Sequence, residues 1–289
     1  METKSYKRAS KKLNDMTYTD YLLRLTLLAR SIFKWNNLPP GINEKWIEKY
    51  LFYYGSCVFF DHPELGFVVA KCTENNLNHY DEPVSITPIF SNCSFKTPIK
   101  SLINNKECVL IRNNDISLPT DYTLKLFALR LTEIQRTIDV NISAQKTPVI
   151  VTCSEKQKQS LKQVVNQKDD NEITIYGDPN LDVNGITALK VDAPVVFDKL
   201  QQQKHTLWNE CMTFLGVNNA NMDKRERLVD DEVQANNEQI ELSASIMLKA
   251  RQSACEQINK LFGTKISVEL RKPVTAEIEG MEGVLNDDR

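Results

Sequence analysis

The spacing of hydrophobic positions changes several times along the chain, and each change marks an element. In MTYTDYLLRLTLLARSIFK (16–34) apolar side chains fall at 18, 21, 22, 25, 28, 29, 32 and 33, a helical spacing with a wide buried face. WNNLPPGI (35–42) stops it, because two prolines and a glycine cannot continue a helical hydrogen-bond ladder. A short helix is expected over about 43–53, with Trp46, Ile47, Tyr50 and Leu51. The period then falls to two. SCVFF (56–60), a DHPE turn and GFVVAKC (66–72) predict a β-hairpin, and PVSITPIF (83–90) and ECVLIRNN (107–114) predict two further strands.

Residues 121–145 return to helical period, with Leu124, Phe127, Leu131, Ile134, Ile138 and Ile142 in register. Leu118–Pro119–Thr120–Asp121 provides the start signal and Thr147–Pro148 the stop. PVIVTC, ITIY and ITALKVD predict short strands within 148–192, around a Gly177–Asp178–Pro179–Asn180 turn. A further helix is expected from Pro194 to Gly216, burying Leu207, Trp208, Cys211, Met212 and Leu215. Another is expected from Asn237 to Phe262, capped by Gly263. TKISVELR (264–271) closes as a strand with Ile266, Val268 and Leu270 on one face. The expected fold class is α+β, with two long antiparallel helices (121–145 and 194–216) and a small β module at one end. At the other end lies NNANMDKRERLVDDEVQANNEQIE (218–241), with Lys224, Arg225 and Arg227 against seven acids and neither Gly nor Pro. Such a mixed-charge segment is expected to be a solvated loop.

Composition narrows the function. The chain has 289 residues, 41% hydrophobic and 26% charged, with a net charge of −2. The molecule as a whole is therefore not expected to attract nucleic acid strongly. Its ends are polarised. Lys4, Lys7, Arg8, Lys11 and Lys12 face Glu2 alone in residues 1–12, and Glu277, Glu279, Glu282, Asp287 and Asp288 face Arg289 in residues 277–289. Runs of this kind are solvated tails or contact arms. Seven cysteines without CxxC spacing fit reduced structural thiols, not a disulfide framework or a zinc ribbon. No secretory signal is expected from the basic and polar N-terminus. The apolar-rich segment 18–33 is broken by Asp20, Arg24 and Arg30, so no membrane span is expected.

Catalytic chemistry is hard to find. There is no G-x-x-x-x-G-K-[ST] loop and no G-x-S-x-G elbow, and His62, His79 and His205 have no metal-ligand spacing. Asp230, Asp231 and Glu232 lack the spaced oxygens and glycine of a calcium loop. No enzyme activity, metal or cofactor is expected. Lys190 and Lys199 flank the junction between the β module and the helix after it. In a monomer such scattered cations bind DNA weakly. In a closed ring each would become a belt of charge around the axis. Residue chemistry alone favours a structural oligomer without a nucleic-acid role, and a DNA-conducting ring is the alternative.

Several contiguous blocks decide between these. WNNLPPGIN (35–43), RNNDISLPT (112–120), ISAQKTPV (142–149), SLKQVVNQ (160–167), DAPVVFDKL (192–200), WNECMTFLGVNNANMDKRERLVDDEV (208–233) and NNEQIE (236–241) follow one another in order. Over most of residues 17–270 the sequence resembles the head–tail connector (portal, or upper collar) proteins of small podophages with protein-primed DNA replication. The N-terminal tail, residues 72–105 and the C-terminal tail match poorly.

This resemblance implies a portal fold and a dodecameric ring at one capsid vertex, through which double-stranded DNA is packaged and ejected. The implied organisation is a disordered basic arm (1–16), a first wing part (17–118), a stem helix (119–147), a β-rich clip (148–193), a second stem helix (194–217), a channel loop (218–236), a returning wing helix and strand (237–272) and a flexible acidic tail (273–289). Lys190 and Lys199 match channel-ring lysines. The channel loop would carry Asn219, Lys224, Arg225, Arg227, Asp230, Asp231 and Glu232. Lys4, Lys7, Arg8, Lys11 and Lys12 would be a nucleic-acid-contacting arm, and Leu131, Ile134, Ile138, Leu207, Trp208 and Leu215 would pack the stem. Implied partners are further copies of the chain, viral DNA, the major capsid protein and scaffold, a packaging ATPase, a packaging RNA where one is used, and lower collar or tail proteins. The implied location is the virion, after assembly in the host bacterial cytoplasm.

Overall fold

The helix expected over 16–34 instead begins at Glu2 and ends at Ala29 (α1, Glu2–Ala29). Residues 2–16 contain neither Gly nor Pro, and Glu2, Lys4, Lys7, Arg8, Ala9, Lys11, Lys12, Leu13 and Met16 are all good helix formers. The arm expected to lack structure is therefore helical. The structure, a computed structural model, describes residues 2–90, 101–145, 150–152, 187–189, 194–218 and 230–271. Within these, the side chains of 2–10, 143–144, 150–152, 187–189 and 230–237 are not described. The chain divides into two compact units, Met1–Thr132 with His205–Arg289, and Glu133–Lys204.

In the larger unit α1 gives way to strand β1 (Phe33–Asn36), which pairs antiparallel with the final strand β9 (Ser267–Leu270). Phe33 lies opposite Leu270 and Trp35 opposite Val268. The sequence placed Phe33 in a helix because a partner more than two hundred residues away leaves no local trace. Ile266, just before β9, and Val268 on it are buried as expected, but Leu270 is 37% exposed at the strand's end.

Helix α2 (Glu44–Tyr54) has Asn43 as N-cap, its side chain accepting from the Lys45 amide. Gly55 caps the other end at φ 77°. A Cβ there would sit 1.8 Å from the Ser117 carbonyl oxygen, so no other residue fits without backbone movement. The expected hairpin follows as β2 (Ser56–His62) and β3 (Gly66–Leu77), then β4 (Pro83–Ile89), a short β5 (Leu102–Ile103) missed in the sequence, and β6 (Cys108–Arg112). They form one antiparallel sheet in the order β5-β4-β3-β2-β6.

β2 is buried on both faces. One face carries Val58 and Phe60 into a core with Ala70, Ile86, Cys108 and Leu110. The other sends Phe59 into an aromatic triangle with Phe67 and Phe262, all three centroid distances being 5.5 Å. The sheet is thereby fixed to the end of the last helix.

Helix α3 (Asp121–Gln145) has the bounds read from the sequence. Helix α4 (Phe197–Leu215) starts later than the expected Pro194. The delay has a cause: Asn141 on α3 donates to the Pro194 carbonyl at 2.8 Å and accepts from the Val196 amide at 3.3 Å. In the smaller unit Lys204 on α4 also reaches Gln135 on α3 at 3.0 Å, so the two helices run antiparallel there. Strands β7 (Ile150–Thr152) and β8 (Thr187–Leu189) pair antiparallel in the same unit. The expected ITIY strand and the turn at 177–180 lie outside the described residues, as does the 273–289 tail.

The last helix, α5, spans Asp230–Phe262, not 237–262. Asn236 and Asn237, read as its start, lie inside it. Asp230, Asp231 and Glu232 form its first turn, where acids are favoured by the positive end of the helix dipole. Asn259 near its end accepts from the Ile266 amide and donates to the Ile266 carbonyl, both at 2.8 Å. It thereby clamps the turn into β9.

Candidate functional site

The candidate channel residues are spread over several elements. Lys199 is exposed in the first turn of α4, and among the described residues it has no ion pair. Lys190, Asn219, Lys224, Arg225 and Arg227 lie outside the described residues. Lys11 and Lys12 are exposed on α1. Lys4, Lys7 and Arg8 belong to the same helix, with side chains not described. Asp230, Asp231 and Glu232, expected on a loop, are helical.

The helix that precedes the segment assigned to a channel loop is packed into the larger unit. On α4, Leu207, Cys211, Met212 and Leu215 are buried, Leu215 completely. Phe214 approaches Phe127 on α3 with centroids 6.3 Å apart. Gly216 follows at φ 71°, and its amide and that of Val217 bond back to Thr213 and Met212. A Cβ on Gly216 would come within 2.4 Å of the Ala244 Cβ on α5. The end of α4 therefore lies directly against α5. Of the expected stem-packing residues, Leu131, Ile138, Leu207 and Leu215 are buried, while Ile134 and Trp208 are half-buried. Trp208 is correspondingly less buried than its place in the helical spacing suggested.

The strongest polar feature was not anticipated from the sequence. Arg251 on α5 is 2% exposed, and all five of its guanidinium N–H groups have acceptors. Nε and Nη2 donate to the two Glu48 carboxylate oxygens at 2.9 and 2.8 Å. Nη1 donates to the carbonyls of Asn113 and Met247, and Nη2 also to Asn113 Oδ1. The guanidinium stacks 4.0 Å over the Phe33 ring. Glu48 Oε1 takes a further bond from Trp35 Nε1 at 2.9 Å. Asn113 in turn donates to the Leu118 carbonyl and Thr120 Oγ1, which fixes the entry to α3. One arginine thus ties β1, α2, the start of α3 and α5 together. A sequence signal existed: Arg251 stands on the buried face of α5 with Met247, Ala254 and Ile258. A charge at an apolar position is an internal partner's mark.

Among the described residues nothing resembling a catalytic centre accompanies this arrangement. A polar cleft of about 500 Å³ is lined by Glu82, Asn104, Arg112, Asp115, Lys249 and Gln257. Its chief charges, Arg112 and Glu82, bond to each other. Burial pushes the thiols of Cys72, Cys108, Cys211 and Cys255 up to about 12 and that of Cys57 upward too. These five thiols stay protonated at neutral pH and make poor nucleophiles. Among the described residues no group of His, Cys, Asp and Glu could hold a metal ion, and no helix is long and apolar enough to cross a membrane.

Similarity to known proteins agrees with the architecture. Among solved structures, a chain of the portal and tail of native bacteriophage P68 is 15% identical. The match covers 99% of this chain and 96% of that one, with a TM-score of 0.58. A chain from the virion of a native gene transfer agent particle gives 9% identity, coverage of 96% and 88%, and a TM-score of 0.49. An HK97-family phage portal protein from Corynebacterium diphtheriae gives 9% identity, coverage of 87% and 91%, and a TM-score of 0.39. The P68 chain shows a shared fold with mixed helices and sheets; the other two are too distant to add to it. The sequence model of the family described as Phage Connector (GP10) matches residues 4–275, and the chain belongs to that family.

Proposed function

We propose that this chain is the portal of a tailed phage, assembling as a ring of twelve copies at one capsid vertex and conducting double-stranded DNA along its axis. The observation that carries this reading is the family match over residues 4–275. The portal-type fold shared with the P68 chain supports it. In the ring, Lys190 and Lys199 form axial belts of positive charge, and the segment 218–229 with Asn219, Lys224, Arg225 and Arg227 projects into the bore. A few belts in an otherwise near-neutral wall attract phosphates without gripping them, since affinity grows with the number neutralised together. Asp230, Asp231 and Glu232, at the start of α5, provide the acidic counterpart that lets the duplex slide.

The portal is a passive conduit in this account. Work comes from a separate packaging ATPase docked on the part of the ring built from residues 148–193, which the tail later replaces. The wing, from residues 17–118 and 237–272, meets the capsid shell and scaffold inside the virion. The N-terminal helix presents Lys4, Lys7, Arg8, Lys11 and Lys12 to a nucleic acid of the packaging machinery. The test is the triple substitution Lys224→Ser, Arg225→Ser and Arg227→Ser. Ring assembly should survive, because substitutions of charged surface-type side chains rarely cost a core much stability. Retention of full-length genome should fall; normal DNA-filled, infectious particles would overturn the channel assignment.

A further inference from the structure

Helix α2 turns Ile47, Glu48, Leu51 and Phe52 inward. Its other face holds Lys45, Trp46, Lys49, Tyr50, Tyr53 and Tyr54: two cations, four aromatic rings and no acid. Trp46 is 45% exposed, Tyr53 41% and Tyr54 53%. Both acids of α2 are engaged elsewhere, Glu44 with Arg271 at 2.6 Å and Glu48 with Arg251 at 2.8 Å. Among the described residues Lys45 and Lys49 pair with no carboxylate. Their ammonium groups lie over the Trp46 ring, 5.1 and 5.2 Å from its centroid. Lys71 from β3 extends the face by lying 5.8 Å over Tyr54. Arg30 adds a further cation at its start, donating to the Lys45 carbonyl at 3.0 Å.

We propose that this outward face of α2 binds single-stranded nucleic acid. Three exposed rings clustered on one helix face suit a docking partner, and the charge of the face selects the occupant. Protein interfaces are enriched in Trp, Tyr and Arg but depleted in Lys. Here the uncompensated charge nearest the rings is lysine, which a chain of phosphates complements. The rings give unpaired bases a stacking platform, and the lysines held beside Trp46 by cation–π attraction stand ready for the flanking phosphates. Duplex DNA would use the lysines but not the rings, because its bases are already stacked. The proposal uses none of Lys190, Lys199 or the 218–229 segment, and does not depend on the channel assignment.

The test is fluorescence anisotropy with the full chain and three labelled probes: a 20-nucleotide oligodeoxythymidine, an oligouridine of equal length, and a DNA duplex. Binding of either single strand, tighter than the duplex, is the expected result, and comparing the two shows whether DNA or RNA is preferred. Trp46→Ala should weaken single-strand binding roughly 5- to 150-fold. Lys45→Gln with Lys49→Gln should flatten the slope of log K against log salt by about 1.4, from two lost phosphate contacts. All three positions have exposed or half-buried side chains, and an unchanged melting temperature serves as the folding control. Absence of single-strand binding, or duplex binding at least as tight and indifferent to Trp46→Ala, would overturn the proposal.

Discussion

Replacing Arg251 with Met tests the account of how the larger unit is held together. The methionine fills much of the aliphatic volume but removes five hydrogen bonds and the stacking on Phe33. Glu48, 3% exposed, would keep only the Trp35 Nε1 bond to Oε1, while its other oxygen faces the core unpaired. Asn113 Oδ1 would lose its guanidinium donor as well. Breaking one side of a buried pair costs about 3–5 kcal/mol, mostly from the charge left behind. For a chain of this length the melting temperature should fall on the order of 10 °C. The assay is thermal and urea unfolding at fixed protein concentration, because oligomer formation shifts apparent stability. A second variant, Glu48→Gln with Arg251→Met, removes the stranded charge and should recover part of the loss, a non-additivity that a double-mutant cycle reads directly. A single substitution costing under about 1 kcal/mol would refute the buried network.

Three further outcomes follow from the packing. Gly216→Ala should destabilise by about 2 kcal/mol or more, because a left-handed residue gains a Cβ that meets Ala244; an unchanged urea midpoint would contradict the close approach of α4 and α5. Cys57, Cys108, Cys211 and Cys255 are buried with raised thiol values, so peptide mapping after brief alkylation at pH 8 should find them unlabelled in the folded protein. Rapid labelling of any of them would refute its packing. The hydrogen bond from Arg112 holds Glu82 below its ordinary carboxylate range. A depressed folded value means that this contribution is present above the unfolded value of about 4.5 and lost as pH falls through the folded one. Glu82→Gln should therefore lessen the acid dependence of stability below that pH, and an unchanged acid limb would count against the pair.

Elements governed by neighbours in sequence were legible there. The period in 121–145 gave α3, and the β2–β3 hairpin follows from local chemistry. Errors fell where distant partners decide. Phe33–Asn36 looked helical until paired with Ser267–Leu270, and α4 begins late because Asn141 holds Pro194 and Val196. Asn236 and Asn237 looked like a helix start, yet the absence of Gly and Pro let α5 run back to Asp230. Trp208 was expected to be buried from its place among the apolar positions of its helix, although only three-dimensional packing could reveal that it is half-buried. Arg251 was overlooked because its partners come from α2, β1 and the segment before α3. The family was legible in contiguous blocks such as WNNLPPGIN and DAPVVFDKL, and the family match bears it out.

The most direct measurement is an electron-microscope image of the purified full chain. The account predicts rings of twelve subunits around a bore wider than the roughly 20 Å of a DNA duplex, since the groove and backbone dimensions of B-form DNA set that minimum. A persistent monomer, a solid particle, or a ring too narrow to admit duplex would contradict it.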